Sequence, residues 1–242
     1  MASTAVGKVF LLPAFLDGDN LDTIPPYVIN AMKECQAFFV ENERSARRYL
    51  KQVWREIIID DYEWHTIHKA EEEVKETFKK LLQRGITIGI ISEAGCPGIA
   101  DPGQILVAAA HQMGAEVKPF VGPSAILLAL MASGLNGQQF HFHGYLPIDN
   151  QQRLKIIKDL ESESLKKKCT QIFIETPYRN NQLLEALVNH CNPSTQLCIA
   201  ADLTGKNEFI KTKSISAWKK GLTDIHKRPA IFLIYADTFR FA

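Results

Sequence analysis

A regular alternation of short apolar runs and helical patterns constrains the fold most. The runs KVFLLPA, ITIGIIS and EVKPFVG are typical of strands, and a helical pattern follows each of them. In the clearest helix, HKAEEEVKETFKKLLQRG, apolar residues recur at helical spacing and Gly85 stands where a C-terminal cap belongs. Because a βαβα order places strands side by side with helices on both faces, we predict an α/β fold with a mostly parallel sheet.

The second half of the chain adds a further set of strands and helices. QFHFHGYLP, TQIFIE, TQLCIAADL and PAIFLIYAD read as strands, and QQRLKIIKDLESESLKKK and TPYRNNQLLEALVNHC read as helices. A boundary near Lys118 divides the sequence into two α/β halves, and such halves usually meet at a ligand cleft. We therefore predict two α/β domains, 1–118 and 119–242, with a ligand cleft between them.

Composition narrows the class of protein. The formal net charge of +1 over 242 residues gives no overall attraction to nucleic acid or membranes, so any RNA-binding surface must be local. The five cysteines are dispersed without a CxxC pair, which argues against disulfides and a zinc cluster. No apolar stretch reaches membrane-spanning length, and the N-terminal run reads as a first strand rather than a signal peptide. We expect a cytoplasmic protein.

The common nucleotide-binding and hydrolase motifs are absent from the sequence. Two glycine- and proline-rich loops remain as candidate ligand-binding segments. In SEAGCPGIADPG, Gly95 and Gly98 allow a ligand to approach the backbone closely; a purely structural connection is the alternative. Asp101 in this loop is predicted to be a helix N-cap with Pro102 as the first helical residue. In VGPSAILLAL, Ser124 either caps the next helix or contacts a ligand.

The order and spacing of five segments identify a family resemblance. ISEAGCPGIADPG, FVGPSAILLALMASGL, FHFHGYLP, QIFIETPYR and IAADLT resemble segments of the tetrapyrrole methylase-like superfamily, the class III S-adenosylmethionine-dependent methyltransferases. Within it the chain is most similar to the bacterial small-subunit ribosomal RNA cytidine 2′-O-methyltransferases, whose segments read approximately SDAGTPLISDPG, PGPSALIAALSASGL, FEGFLP, FYESPHR and ARELTK.

The resemblance implies a methyltransferase with S-adenosyl-L-methionine as cofactor, ribosomal RNA as acceptor and a homodimeric assembly. It also implies a set of cofactor-binding residues: Pro13, Gly95, Cys96, Pro97, Gly98, Ile99, Ser124, Ala125, Glu175, Thr176, Ala201 and Pro229. Where the family has arginine in ARELTK, this chain has Ala201. Two alternatives stay open: methylation of a tetrapyrrole or another small molecule, and a non-catalytic relative that only binds the cofactor.

Methyl transfer from a sulfonium needs alignment of donor and acceptor more than acid–base catalysis. A ribose hydroxyl must still lose its proton, and the candidate groups are Asp101, Glu43 and Tyr178. No catalytic residue is assigned from the sequence. His141 and His143 would share one strand face, but no third ligand joins them, so we expect a structural role and no metal.

The segment ERSARRYLKQVWR concentrates cations with interleaved aromatic residues. Arg44, Arg47, Arg48, Lys51 and Arg55 alternate with Tyr49 and Trp54 in a pattern that suits phosphates and stacked bases. An amphipathic surface helix explains the same pattern equally well. If these cations lie beside the cofactor loops, an RNA acceptor is favoured. If they face away from the loops, a small-molecule acceptor is favoured.

Overall fold

The computed structural model describes residues 6–18, 20–67 and 71–236. The chain divides into two compact units, Met1–Ser124 and Ala125–Ala242. The division follows Ser124, a few residues beyond the predicted boundary at 118, because the segment after the fifth strand still contacts the first unit. Phe120 donates its backbone N–H to the Leu11 carbonyl (3.1 Å), and Val121 donates to the Tyr27 hydroxyl (3.1 Å).

The first unit is a five-stranded sheet with helices on both faces. Its strands are β1 Lys8–Leu12, β2 Ala37–Val40, β3 Glu63–Thr66, β4 Ile88–Ile91 and β5 Glu116–Pro119. Its helices are α1 Pro26–Glu34, α2 Glu43–Val53, α3 Glu71–Gln83 and α4 Gln104–Gln112. The strand order is β3-β2-β4-β1-β5 and every pair is parallel, which confirms the predicted parallel sheet for this half.

The period-two alternation of strand side chains divides the core of the first unit into two clusters. Adjacent residues of β2 illustrate the division: Phe38 packs with Tyr49 and Leu50 of α2 on one face. Phe39 packs with Phe78 of α3 on the other face. All four residues of β2 are buried, as expected for a parallel strand covered by helices on both sides.

The predicted start of α4 is wrong. The helix begins at Gln104, and its N-cap is Gly103 with φ 127° and no side-chain cap, not Asp101. Glycine fits this position because other residues are strained at positive φ. Asp101 instead hydrogen-bonds the Ser92 side chain, so its carboxylate is engaged by another segment of the loop.

The second unit is a mixed five-stranded sheet. Its strands are β6 Phe140–Tyr145, β7 Thr170–Ile174, β8 Gln196–Ala201, β9 Phe209–Ser214 and β10 Ala230–Tyr235. Its helices are α5 Ala125–Ser133, α6 Asn150–Lys167, α7 Asn180–His190 and α8 Ile215–Trp218, and a 3₁₀ turn, Pro177–Arg179, precedes α7. The described residues contain no helix with both the length and the apolar character needed to cross a bilayer.

The second sheet differs from the first because most of its strand pairs are antiparallel. The strand order is β6-β7-β10-β8-β9, and only β6 and β7 pair in parallel. A short loop, 202–208, joins β8 and β9 as an antiparallel hairpin, and β10 enters antiparallel between β7 and β8. Phe173, Phe232 and the fully buried Trp218 anchor the core of this unit.

Candidate functional site

Three loops meet at the carboxyl edge of the first sheet. Strands β4 and β5 flank β1, and since all three are parallel, the loops that follow them leave from the same edge. Ala14 and Gly95 join the first two loops through paired backbone hydrogen bonds of 2.8 and 3.1 Å. In open α/β sheets, ligands bind in the crevice at this edge, where neighbouring connections diverge.

The third loop packs directly against the other two. A Cβ at Gly122 would lie 2.0 Å from the Pro13 Cβ, so the backbone there touches the proline ring. The Cys96 thiol donates to the Pro123 carbonyl at 3.5 Å. The structure thus brings Pro13, Gly95 and Cys96 together with the residue that precedes Ser124.

The rest of the glycine-rich loop presents backbone to solvent. Gly98 has φ +79° with open space around its Cα, and Ile99 is 52% exposed. Pro97 is buried. Gly98 therefore leaves room for a ligand to contact main-chain groups, which is what the sequence pattern predicts.

An acidic cluster that the sequence analysis did not single out surrounds Asp101. Glu41 follows β2 and accepts the Glu93 backbone N–H (3.2 Å), while Glu93 accepts the Ser45 hydroxyl of α2 (2.9 Å). Burial, and then the negative charge of Glu41, raises the pKa of Asp101 from 3.8 to about 6, although the Ser92 hydrogen bond opposes the shift. These residues lie far apart in sequence, so only the parallel pairing of β2 and β4 reveals the cluster.

The raised pKa of Asp101 predicts a stability effect with a defined sign. A carboxyl group whose pKa is higher in the folded state destabilises the fold once it ionises, so the penalty is absent below about pH 4 and complete above about pH 6. Because partial exposure screens the effect, Asp101→Asn should raise the free energy of unfolding at pH 8 by about 1 kcal/mol. Urea unfolding at pH 4 and pH 8 measures this; equal effects at both values would contradict it.

The remaining predicted residues gather at one end of the second sheet. Ala201 pairs with Ala230, and Ile174 pairs with Ile231, so Glu175, Ala201 and Pro229 lie at the ends of three adjacent strands. Asp202 donates its backbone N–H to the Pro229 carbonyl (3.0 Å). This end of the sheet therefore holds the four predicted residues Glu175, Thr176, Ala201 and Pro229.

Glu175 is a buried carboxylate. Its side chain is fully buried, and its Oε1 accepts the Thr176 backbone N–H and an Arg179 Nη2–H, both at 2.6 Å. Its Oε2 has no hydrogen-bond partner in the described part of the chain. The pair fixes the turn Pro177–Arg179, and Arg179, which the sequence analysis did not single out, lies four residues beyond Glu175 on that turn.

The other acid–base candidates have partners of their own. Glu43 forms an ion pair with Arg47, whose guanidinium lies 5.1 Å from the Trp64 ring centroid. Tyr178 is 69% exposed on the 3₁₀ turn. The ion pair of Glu43 and the exposure of Tyr178 single out neither residue as the proton acceptor.

His141 and His143 lie on one face of β6, with ring centroids 4.2 Å apart. His143 Nε2 hydrogen-bonds Gln171 Oε1 at 2.6 Å, and burial lowers its pKa. His141 Nδ1 lies 3.7 Å from Glu163. Within the described ranges, no group of three or more His, Cys, Asp or Glu side chains could hold a metal ion.

The chain is thus an α/β protein of two units, the first with three loops that converge at the edge of a parallel sheet. The model for Tetrapyrrole (Corrin/Porphyrin) Methylases matches residues 19–217, and the chain belongs to this family. This confirms the resemblance found in the sequence and the α/β fold.

Curated relatives include two proteins named ribosomal RNA small subunit methyltransferase I. The one from Synechocystis is 31% identical over 78% of this chain and 65% of its own length. The one from Vibrio cholerae is 31% identical over 79% of this chain and 64% of its own length. The chain thus spans slightly less than two thirds of each of these relatives.

Solved structures share the fold. A diphthine synthase matches with a TM-score of 0.68 at 15% identity, over 96% of this chain and 91% of its own. Uroporphyrin-III C-methyltransferase from Thermus thermophilus, complexed with S-adenosylhomocysteine, matches with a TM-score of 0.57 at 15% identity, over 95% of this chain and 97% of its own. At these identities the likeness concerns the fold alone.

Proposed function

We propose that the chain is an S-adenosyl-L-methionine-dependent methyltransferase that methylates a 2′-hydroxyl of ribosomal RNA. The observation that carries the proposal is the wall formed by the loops after β1, β4 and β5, tied by the Ala14–Gly95 bonds and the Cys96–Pro123 contact. The named activity of the curated relatives and the S-adenosylhomocysteine in a related fold support the same assignment.

The wall fits a cofactor recognised mainly by peptide groups. When bound, S-adenosylmethionine supplies a methyl group already activated by its sulfonium charge. The chain's own residues then bind and orient it, and we assign to it Pro13, Gly95, Cys96, Pro97, Gly98, Ile99, Ser124, Ala125, Glu175, Thr176, Ala201 and Pro229. The unpartnered Oε2 of Glu175 is an acceptor suited to a ligand N–H or O–H group.

Cofactor binding is tested with S-adenosylhomocysteine. A ligand that binds only the native state raises apparent stability, by about 2.7 kcal/mol at about 100 times its Kd. We expect a rise in Tm of several degrees, and transfer of labelled methyl groups from the donor to ribosomal RNA from cells that lack the protein. A chain whose Tm does not respond to S-adenosylhomocysteine would contradict the proposal.

The charges on α2 support RNA as the acceptor. Asn42 caps this helix by accepting the Arg44 and Ser45 backbone N–H groups, and Ser45 also bonds Glu93 of the glycine-rich loop, so the helix starts beside the proposed cofactor wall. The exposed Arg44 and Arg48 lie one turn apart on this helix. The two guanidinium groups therefore lie next to the proposed cofactor wall, in a position to contact the phosphates of an RNA acceptor.

Neutralising these two arginines should weaken RNA binding uniformly across sequences. For single strands each lost phosphate contact lowers the slope of log K against log salt by about 0.7, so the double variant Arg44→Gln/Arg48→Gln should reduce the slope by about 1.4. A filter-binding titration at several salt concentrations measures this. Lys155→Gln/Lys158→Gln on α6 is the matched control, and an equal loss in both variants would count against a specific contact.

A small-molecule acceptor is the second candidate, and the tetrapyrrole methylase family to which the chain belongs supports it. If the labelled methyl group appears on a tetrapyrrole and not on RNA, this candidate replaces the first. Bound cofactor without transfer to any fraction would indicate the non-catalytic relative.

We also propose that the protein is a cytoplasmic homodimer. Leu127 and Met131, one turn apart on α5, are 49% and 79% exposed, and an exposed apolar pair of this kind suits an interface between subunits. Sedimentation equilibrium of the wild type and Met131→Glu tests the assembly; a monomeric wild type would contradict it.

A further inference from the structure

Tyr178, His226 and Lys227 form an exposed aromatic and cationic surface, which we call the Tyr178 platform. The Tyr178 ring is 69% exposed, and the His226 ring meets it edge-on with centroids 5.9 Å apart. The Lys227 Nζ lies 5.8 Å from the Tyr178 ring centroid. Because most of the Tyr178 side chain is exposed, its ring is accessible to a ligand.

Hydrogen bonds fix the backbone segments that form the platform. Lys227 donates its backbone N–H to the Pro177 carbonyl (2.9 Å), which joins the loop before β10 to the 3₁₀ turn. The buried Asn180 donates through Nδ2 to the Arg228 carbonyl (2.6 Å). Asn181 bonds both the Asp224 carboxylate (2.8 Å) and the Ile225 N–H (3.0 Å). The backbone segments that carry Tyr178 and Lys227 are therefore fixed relative to each other.

Two ion pairs beside the platform are neutral, and the ionised Asp224 balances the charge of Lys227, so the platform offers a local cation over the Tyr178 ring rather than a net positive charge. The buried Glu175 forms an ion pair with Arg179, and Asp202 forms an ion pair with Arg228 at 2.6 Å. Asp224 accepts hydrogen bonds from Asn181 and the His226 backbone, which lower its pKa. Lys227 is exposed, and its backbone has φ 62°, an uncommon conformation for a residue with a side chain.

We propose that the Tyr178 platform binds single-stranded RNA, with a base stacked on the Tyr178 ring and a backbone phosphate beside Lys227. Rigid aromatic rings with adjacent cations bind unpaired bases regardless of sequence, because every base has a π face. The platform adjoins Pro229 and Glu175, both assigned above to the cofactor, so a nucleotide held there would be the acceptor or its neighbour. The proposal rests on the proposed function for the identity of the acceptor.

The test is binding of a fluorescent 12-nucleotide single-stranded RNA of mixed sequence, followed by anisotropy. Loss of one base stack costs about 1–3 kcal/mol, so Tyr178→Ala should weaken binding by about 5- to 150-fold. Tyr178→Phe keeps the stacking face and should bind within about twofold of the wild type. Lys227→Gln should lower the salt slope by about 0.7.

The controls distinguish a failure of the platform proposal from a failure of the proposed function. Ile58→Ala removes an exposed apolar side chain of the first unit (63% exposed) and should leave binding unchanged. The same RNA annealed to its complement should not distinguish Tyr178→Ala from the wild type, because its bases are already stacked. S-adenosylhomocysteine binding is measured on every variant, and its absence in the wild type would contradict the proposed function alone. Equal RNA affinity of Tyr178→Ala and the wild type, or no binding by the wild type, overturns the platform.

Discussion

Gly122→Val should destabilise the first unit by about 3 kcal/mol and weaken S-adenosylhomocysteine binding by more than about tenfold. A Cβ at this position lies 2.0 Å from the Pro13 Cβ and 2.4 Å from its Cγ, far inside van der Waals contact. The proline ring cannot rotate away, and the buried Tyr49 hydroxyl fixes its carbonyl at 2.7 Å. The loops after β1 and β5 must therefore separate, and the proposed cofactor wall opens.

Urea unfolding and calorimetric titration with S-adenosylhomocysteine measure the two effects. Gly137→Ala is the matched control, since Gly137 has open space and a φ outside the left-handed region. It should change stability by less than about 1 kcal/mol. A Gly122→Val protein with wild-type stability and affinity would mean that the wall tolerates separation of its loops and is not the binding surface.

Glu175→Ala should lower the free energy of unfolding by about 3 kcal/mol, because removing one partner of a buried ion pair leaves the other without compensation. The Thr176 N–H and the Arg179 guanidinium both lose their acceptor. Arg179 is still partly exposed (28%), so water compensates part of the loss and the effect lies at the lower end of the range for buried pairs.

A second ion pair in the same unit provides the comparison. Glu163 and Lys167 also lie four residues apart with a similar separation of 2.7 Å, but Lys167 is 64% exposed. Glu163→Ala should cost less than about 1 kcal/mol, as is usual for solvent-exposed pairs. Chemical denaturation of both variants at pH 7 decides the point: equal losses would show that burial of Glu175 contributes nothing.

Local patterns predicted most individual elements because each depends on neighbouring residues. The apolar spacing of Val74, Phe78 and Leu82 predicts α3, which the structure places at Glu71–Gln83. The glycine- and proline-rich segments that end β4 and β5 likewise predict loops, and the structure brings Cys96 to Pro123 as a site would require. The predicted N-cap of α4 is wrong because Asp101 fits the local capping pattern although Gly103 is the N-cap. The hydrogen bond between Asp101 and Ser92 forms only in the folded loop, so the local pattern does not contain it.

These local patterns do not predict which strands pair or which distant segments come into contact. Strand β10 pairs antiparallel with β7 and β8, but its continuous apolar run suits a parallel or an antiparallel neighbour alike. The acidic cluster of Glu41, Glu93 and Asp101 and the Tyr178 platform both join segments distant in sequence. Neither has a local signature, so both required the structure.

The position of β10 has a consequence for synthesis on the ribosome. The first sheet is complete once β5 has emerged, so the first unit can fold while the rest of the chain is still being translated. The second sheet lacks its middle strand until residues 230–235 appear, and until then β7 and β8 expose unpaired edges. Until β10 has emerged, the nascent chain thus carries a first unit that can fold and a second unit with unpaired strand edges, which is the state that chaperones would protect.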